Sequence, residues 1–257
     1  MDNVITKKKP KKLMVIIILT SVIVILGWAG LTRAGYIDNY LNIGFLCPES
    51  SQTNYSSDSL FPSNNFGPSC PSCVSRKPVI YFYPEQEENI SVKLSFQGQL
   101  TTTYPNYDNG WDITAYPDGK IINQADNREY SYLFWEGKDK DAKYDLSNGF
   151  VVKGSEAAEF LQSKLATLGL SPKEYNEFIV YWLPALQHNE YNLIHFATKE
   201  EYDNRAILDI NPQPDSMLRV FMVFKSIDGN IKIAPQVIKP FTRKGFTVIE
   251  WGGSNLD

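Results

Sequence analysis

Between Lys12 and Arg33 the chain carries no charge: twenty residues, mostly Leu, Ile and Val, follow one another without a break. At a rise of ~1.5 Å per residue, such a run covers ~30 Å, the thickness of a bilayer's hydrocarbon core. The pattern predicts a transmembrane helix over residues 13–32. Lys7, Lys8, Lys9, Lys11 and Lys12 stand before it against the single acid Asp2. By the positive-inside rule, this basic flank holds residues 1–12 in the cytoplasm as a short tail and places the C-terminal domain outside. The competing pattern is a cleaved signal peptide ending near Thr32-Arg33-Ala34, but the apolar stretch of a signal is shorter, about 7–15 residues. The expectation is an uncleaved, single-pass signal-anchor in the cell membrane, with an extracytoplasmic domain at the cell surface.

The periodicity then vanishes. From Asp38 to Arg76 there are nine Ser and four Pro, several Asn, and no amphipathic repeat. Such a stretch cannot bury enough apolar surface to offset its ordering entropy, so residues 33–76 read as a disordered tether. All three cysteines, Cys47, Cys70 and Cys73, fall within it. Cys70-Pro71-Ser72-Cys73 has the spacing of redox and zinc motifs. A redox pair should open a helix, however, and a closed zinc site needs four ligands. Neither context is present. The reading is a structural disulfide, or a cross-link through the odd cysteine that would make a disulfide-linked homodimer.

Order returns at Lys77. Pro78–Tyr83 is β-branched and aromatic, and Ile90, Val92, Leu94 and Phe96 alternate with polar positions, the period of a half-buried strand. Gln97-Gly98 suggests a hairpin into Leu100–Tyr104. Trp111–Tyr116 and Lys120–Ile122 flank the turn Pro117-Asp118-Gly119, and Tyr130–Trp135 follows. These six short strands point to a β-sandwich-like half. After a boundary near residue 153 the period changes to 3.6. One helix begins at Ser155 and stops at Gly169. A second opens with Ser171 as N-cap, Pro172 at the first position and Glu174 at the third, with Pro184 expected to kink or end it. Strands resume at 192–198, 206–210, 218–225, 231–233 and 246–251. The fold class expected is α+β: a β-sandwich-like half followed by an α+β half with two amphipathic helices, all within one domain over residues 77–257.

Several landmarks in that domain resemble a group of uncharacterised bacterial exported proteins. They are Lys77-Pro78-Val79-Ile80-Tyr81-Phe82-Tyr83-Pro84, Phe134-Trp135-Glu136-Gly137, Arg219-Val220-Phe221-Met222, and Gly245-Phe246-Thr247-Val248-Ile249-Glu250-Trp251-Gly252-Gly253. The resemblance spans Lys77 to Trp251. It implies a bacterial cell-surface setting and one integral domain, and it assigns no reaction.

Charge and chemistry narrow the field. The chain carries −4 overall and residues 1–12 carry +4, so the remainder is at −8. An acidic exterior argues against nucleic acid. No phosphate loop, dinucleotide fingerprint or serine-nucleophile elbow occurs, and nothing points to a cofactor or a metal. His188 and His195 stand outside any zinc-type spacing, and His195, in mid-strand, reads as a hydrogen-bonded core residue. The acids of interest are Glu136 and Glu250, each beside a tryptophan (Trp135, Trp251) and followed by glycine. Tryptophan faces stack on sugar rings, and two carboxylates held ~5–10 Å apart can hydrolyse a glycoside. Arg219 and Arg205 are natural partners for such acids. Two functional classes follow. One is a non-catalytic surface module for a cell-wall glycan or a protein ligand, and the other is a hydrolase acting on glycans through Glu136 and Glu250. A deep cleft joining the two acids would mark the enzyme, and a shallow aromatic sheet face the binder.

Overall fold

The computed structural model of the chain describes residues 73–229 and 231–257. Their strands are β1 (Cys73–Tyr83), β2 (Glu88–Phe96), β3 (Gln99–Tyr104), β4 (Trp111–Ala115), β5 (Ile121–Asn123), β6 (Arg128–Tyr130), β7 (Leu133–Asp139) and β8 (Asn148–Lys153). Two helices follow, α1 (Ala157–Leu168) and α2 (Pro172–Leu186), then β9 (Tyr191–Phe196), the one-turn α3 (Lys199–Tyr202), β10 (Ala206–Asn211), β11 (Ser216–Ile227), β12 (Ala234–Pro235) and β13 (Thr247–Asn255).

These strands form two sheets. The larger runs β12-β8-β9-β11-β13-β1-β7-β3 and the smaller β10-β2-β4-β5-β6. Alternation along each strand divides the side chains of the large sheet between two cores. Ile80, Phe82, Trp135, Phe221 and Val248 face the small sheet. Val79, Tyr81, Val220, Phe224 and Trp251 face α1 and α2. The described residues are therefore three layers deep: small sheet, large sheet, helix pair. The large sheet, apolar on both faces, is the central layer.

This overturns the α+β expectation. Among the described residues strands hold 46% and helices 19%, in only three helices, so the fold they form is mainly β. β1 lies between β13 and β7, so strands from both sides of residue 153 share one sheet. The expected membrane-spanning, single-pass chain is corrected as well. Among the described residues no helix is long and apolar enough to cross a membrane. α1 and α2 have 12 and 15 residues, against ~20 for a bilayer span. The segment 13–32 lies outside the described residues, as do Cys47, Cys70 and the tether up to residue 72. Cys73 opens β1, where its backbone pairs with Asp139 of β7.

The hairpin expected at Gln97-Gly98 is instead a corner between sheets. β2 pairs with β10 and β4 in the small sheet, whereas β3 pairs with β7 in the large one. A Cβ on Gly98 would stand 2.3 Å from the Lys138 carbonyl oxygen and 2.6 Å from the Phe96 ring, so only glycine fits. The helices match their sequence signals more closely. α2 carries the capping box of Ser171 and Glu174 with Pro172 in the first turn. It runs through Pro184 to Leu186, because the proline falls in the last turn, where only one backbone bond is lost. α1 starts after a 3-10 turn, Gly154–Glu156, that takes in the expected cap Ser155, and it ends on Gly169 at φ +107°. Residues 231–233, expected as a strand, are not one. The short pairing of β12 with β8 comes just after them.

Candidate functional site

Glu250 is buried to 1% exposure on the face of the large sheet that meets the small sheet. Register places Arg219 of β11 directly beside it. Arg219 Nε donates to Glu250 Oε2 at 2.6 Å, and Trp135 Nε1 donates to Oε1 at 3.0 Å. Arg219 Nη1 also reaches Asp203 (3.2 Å) and the Ala206 carbonyl oxygen (2.6 Å), and its guanidinium lies 4.4 Å from the Tyr202 ring centre. Burial disfavours the Arg219 charge, but Glu250, Tyr202 and Asp203 outweigh it and raise its pKa. Both oxygens of Glu250 are thus occupied. The residue ties β7, β11 and β13 together and has no free oxygen for a substrate.

Glu136 lies on the other side. In β7, Trp135 packs toward the small sheet and Phe134 toward the helices, so Glu136 shares the face of Phe134. The two acids therefore sit on opposite faces of one sheet, with a layer of backbone between them. They cannot flank one glycosidic bond. Trp135 and Trp251 are fully buried, Trp251 edge-on to Phe178 of α2 at 5.3 Å, so neither offers a face to a sugar. Arg205 pairs with Asp139 and not with either glutamate.

His195 is buried in β9, with Nδ1 3.1 Å from the Asn148 carbonyl oxygen and Nε2 3.0 Å from Glu201 Oε2. Glu201 caps α3 by accepting from Thr198 N (2.7 Å) and also accepts from Asp145 N (2.6 Å). Burial alone would raise its pKa. The His195 contact and the two amides outweigh that and hold the carboxyl at about 2. An unfolded glutamate titrates near ~4.3, so the native state binds this proton more weakly than the unfolded chain. The resulting stabilisation is complete above ~4.3 and is lost as pH falls toward ~2. The urea midpoint of the full-length protein should decline across that window, and Glu201→Gln should flatten part of the decline. An identical slope in the variant would remove Glu201 from the acid response.

A different group of residues converges on Lys77. Register slips on both sides of β1, between Ser75 and Val79 against β7 and between Arg76 and Val79 against β13. Lys77 sits in that irregularity at φ +57°, a left-handed conformation that a lysine adopts only when its surroundings hold it there. Pro78, which has no N–H, follows it and presses on Gly252, where a Cβ would meet Pro78 at 3.0 Å. The Lys77 amide, displaced from the ladder, donates to Glu136 Oε1 at 3.1 Å. Its ammonium stands 5.3 Å from the Tyr132 ring, 5.4 Å from Phe134 and 5.9 Å from Tyr181 of α2. Behind them, Tyr81 meets Tyr132 edge-on at 5.3 Å and its hydroxyl donates to Glu177 Oε2 at 2.7 Å. Burial raises the Tyr181 pKa, the Glu136 charge raises it further, and Arg76 pulls it back.

Lys77, Tyr132, Asn176, Glu177, Val180 and Tyr181 line a cleft of about 510 Å³ between α2, β1 and the residue before β7. A larger cleft of about 810 Å³ lies between β8, α1 and residues 231–235. Its two rings, Phe150 and Phe160, pack on each other and under Lys164, and its only positive φ is that of a glycine, Gly149. Of the acids, arginines and tryptophans proposed from the sequence as site residues, only Glu136 contacts Lys77. The signal that could have led to the rest is the proline inside a strand pattern: Pro within a strand marks a bulge or an edge, and Lys77-Pro78 interrupts what is one strand from Cys73 to Tyr83.

Comparison with known proteins adds little. No family model matches the chain, and no solved structure matches it. One relative, from Butyrivibrio fibrisolvens and described as "Uncharacterized protein in bglA 3'region", is 47% identical over 64 residues. That match covers 24% of this chain and 65% of the relative, so the chain spans a little under two thirds of the length of the protein it is similar to.

Proposed function

We propose that this domain is a non-catalytic binding module that takes a glycan in the Lys77 cleft. The observation that carries the reading is a cleft lined by the rings of Tyr132 and Tyr181, the Lys77 ammonium, the Glu177 carboxylate and the Asn176 amide, with Phe134 and Glu136 packed against the strained lysine. Sugars combine apolar C–H faces with hydroxyls, and such mixed sites recognise both at once: rings for the faces, carboxylates and amides for the hydroxyls. Strain retained at one backbone position beside an opening is more readily explained by recognition than by packing. The separation of Glu136 from Glu250 argues against the hydrolase alternative.

The test is calorimetric titration of the full-length protein with soluble neutral and acidic oligosaccharides, alongside a chromatographic assay for chain shortening. A micromolar to millimolar complex and intact saccharide are expected. Tyr181 is partly exposed and supplies one wall, so Tyr181→Ala should weaken binding about fivefold to tenfold while the melting temperature moves by only a few degrees. Absence of binding across the panel, or cleavage that disappears in Glu136→Gln, would defeat the reading.

A further inference from the structure

Charge in the Lys77 cleft is distributed unevenly with respect to its partners. Each of the two carboxylates already accepts a donor: Glu136 Oε1 from the Lys77 amide, and Glu177 Oε2 from the Tyr81 hydroxyl. The second oxygen of Glu177, which lines the cleft, remains for a sugar hydroxyl. The two cations differ from them. Neither Arg76 nor Lys77 forms an ion pair with a carboxylate among the described residues. Lys77 lies over the Tyr132, Phe134 and Tyr181 rings, and the charge of Arg76, the residue before it, also acts on the Tyr181 hydroxyl.

A lysine with only packing to do would extend its ammonium into water. Here the backbone at φ +57° sets the direction of the side chain, and the ring faces hold the ammonium by cation–π attraction without using its N–H donors. The charge is thus positioned in advance and is partly shielded from water by aromatic walls. Both features strengthen its pull on an incoming anion. Resting on the glycan reading above, we infer that the cleft selects an acidic saccharide, one whose ring carries a carboxylate received by Lys77 and Arg76. The sugar face lies against Tyr181 and Tyr132, and its hydroxyls reach the free oxygen of Glu177 and the Asn176 amide.

The test compares a uronate oligosaccharide with its carboxyl-reduced neutral counterpart by titration against the full-length protein. A charge-assisted bond to a positioned cation predicts about tenfold tighter binding of the uronate at low salt, and a smaller ratio as salt rises. Lys77→Gln and Arg76→Gln, each checked for an unchanged melting transition, should bring the ratio toward one. Because Arg76 is exposed, its variant decides the matter if Lys77→Gln does not fold. Equal binding of the two saccharides by the wild-type protein overturns the acidic-ligand inference and leaves the binding reading standing, as does a preference that survives both substitutions. Binding of neither saccharide, nor of any other in the panel, overturns the reading beneath it.

Discussion

Trp182→Ala is expected to lower the melting temperature of the full-length protein by about 6–20 °C. The indole is 2% exposed and lies at the centre of the core between α2 and the large sheet. It meets Phe224 of β11 edge-on at 5.8 Å, Phe178 one turn back at 6.3 Å, and Tyr181 at 4.9 Å. Against the sheet it sits directly on Gly253, where a Cβ would come within 2.8 Å of its ring. Glycine at that position therefore lets the helix approach the sheet closely enough for the indole to fill the gap. Truncation to alanine loses the transfer energy of the largest apolar side chain and leaves a cavity that Gly253 cannot fill. Such changes cost about 3–5 kcal/mol, a large share of the stability of a domain. In a domain of this size each kcal/mol shifts the melting temperature by about 2–4 °C. A Trp182→Ala protein that melts within a few degrees of wild type would mean that α2 is not seated on the sheet as described.

That helix was legible because every signal for it is local. Ser171, Pro172 and Glu174 specify its start, and Phe178, Ile179, Trp182 and Leu186 recur along one face. Most strands were equally visible as alternation. Their partners were not, because alternation says only that a strand has two faces and not which neighbour it has. The corner at Gly98 shows the difference. Gln97-Gly98 has the composition of a hairpin, and what makes it a corner is the approach of Lys138 and Phe96, residues distant or silent in the local pattern. Class assignment failed for the same reason. β1 is read first along the chain, yet it lies between β13 and β7, so the two apparent halves are one sheet.

The two glutamates illustrate how far parity alone can carry an argument. In Trp135-Glu136-Gly137 the acid follows its tryptophan, and in Glu250-Trp251-Gly252 it precedes it. With β1 between them in register through Ile80 and Leu133, this reversal puts Trp135 on the face of Glu250 and Glu136 on the face of Trp251. The reversal is written in the sequence, but it separates the acids only once both strands are known to flank β1. Lys77 was hidden differently. Its role depends on a bulge whose sequence mark, proline after lysine, reads locally as the beginning of a strand rather than as an irregularity inside it.

Glu250→Gln is expected to destabilise the protein strongly and to leave glycan binding intact in whatever fraction remains folded. Glutamine keeps an oxygen for the Trp135 indole N–H, so that 3.0 Å contact can survive. It cannot neutralise Arg219, whose side chain is only 6% exposed and would retain just the partly exposed Asp203 as a counter-charge. Removing one partner of a buried pair typically costs about 3–5 kcal/mol, because the remaining charge is buried without compensation. Replacing both partners with apolar residues of similar size should cost less than losing one. Arg219→Met with Glu250→Leu should therefore melt above Glu250→Gln, although the orphaned Trp135 indole and Asp203 will limit the recovery. This ordering is specific to a structural tie. A carboxylate kept for ligand or catalysis would show the reverse: Glu250→Gln melting with wild type and losing binding. Measured melting temperatures and saccharide titrations for the single and double variants separate the two outcomes, and a stable Glu250→Gln protein with abolished binding would return Glu250 to the functional site.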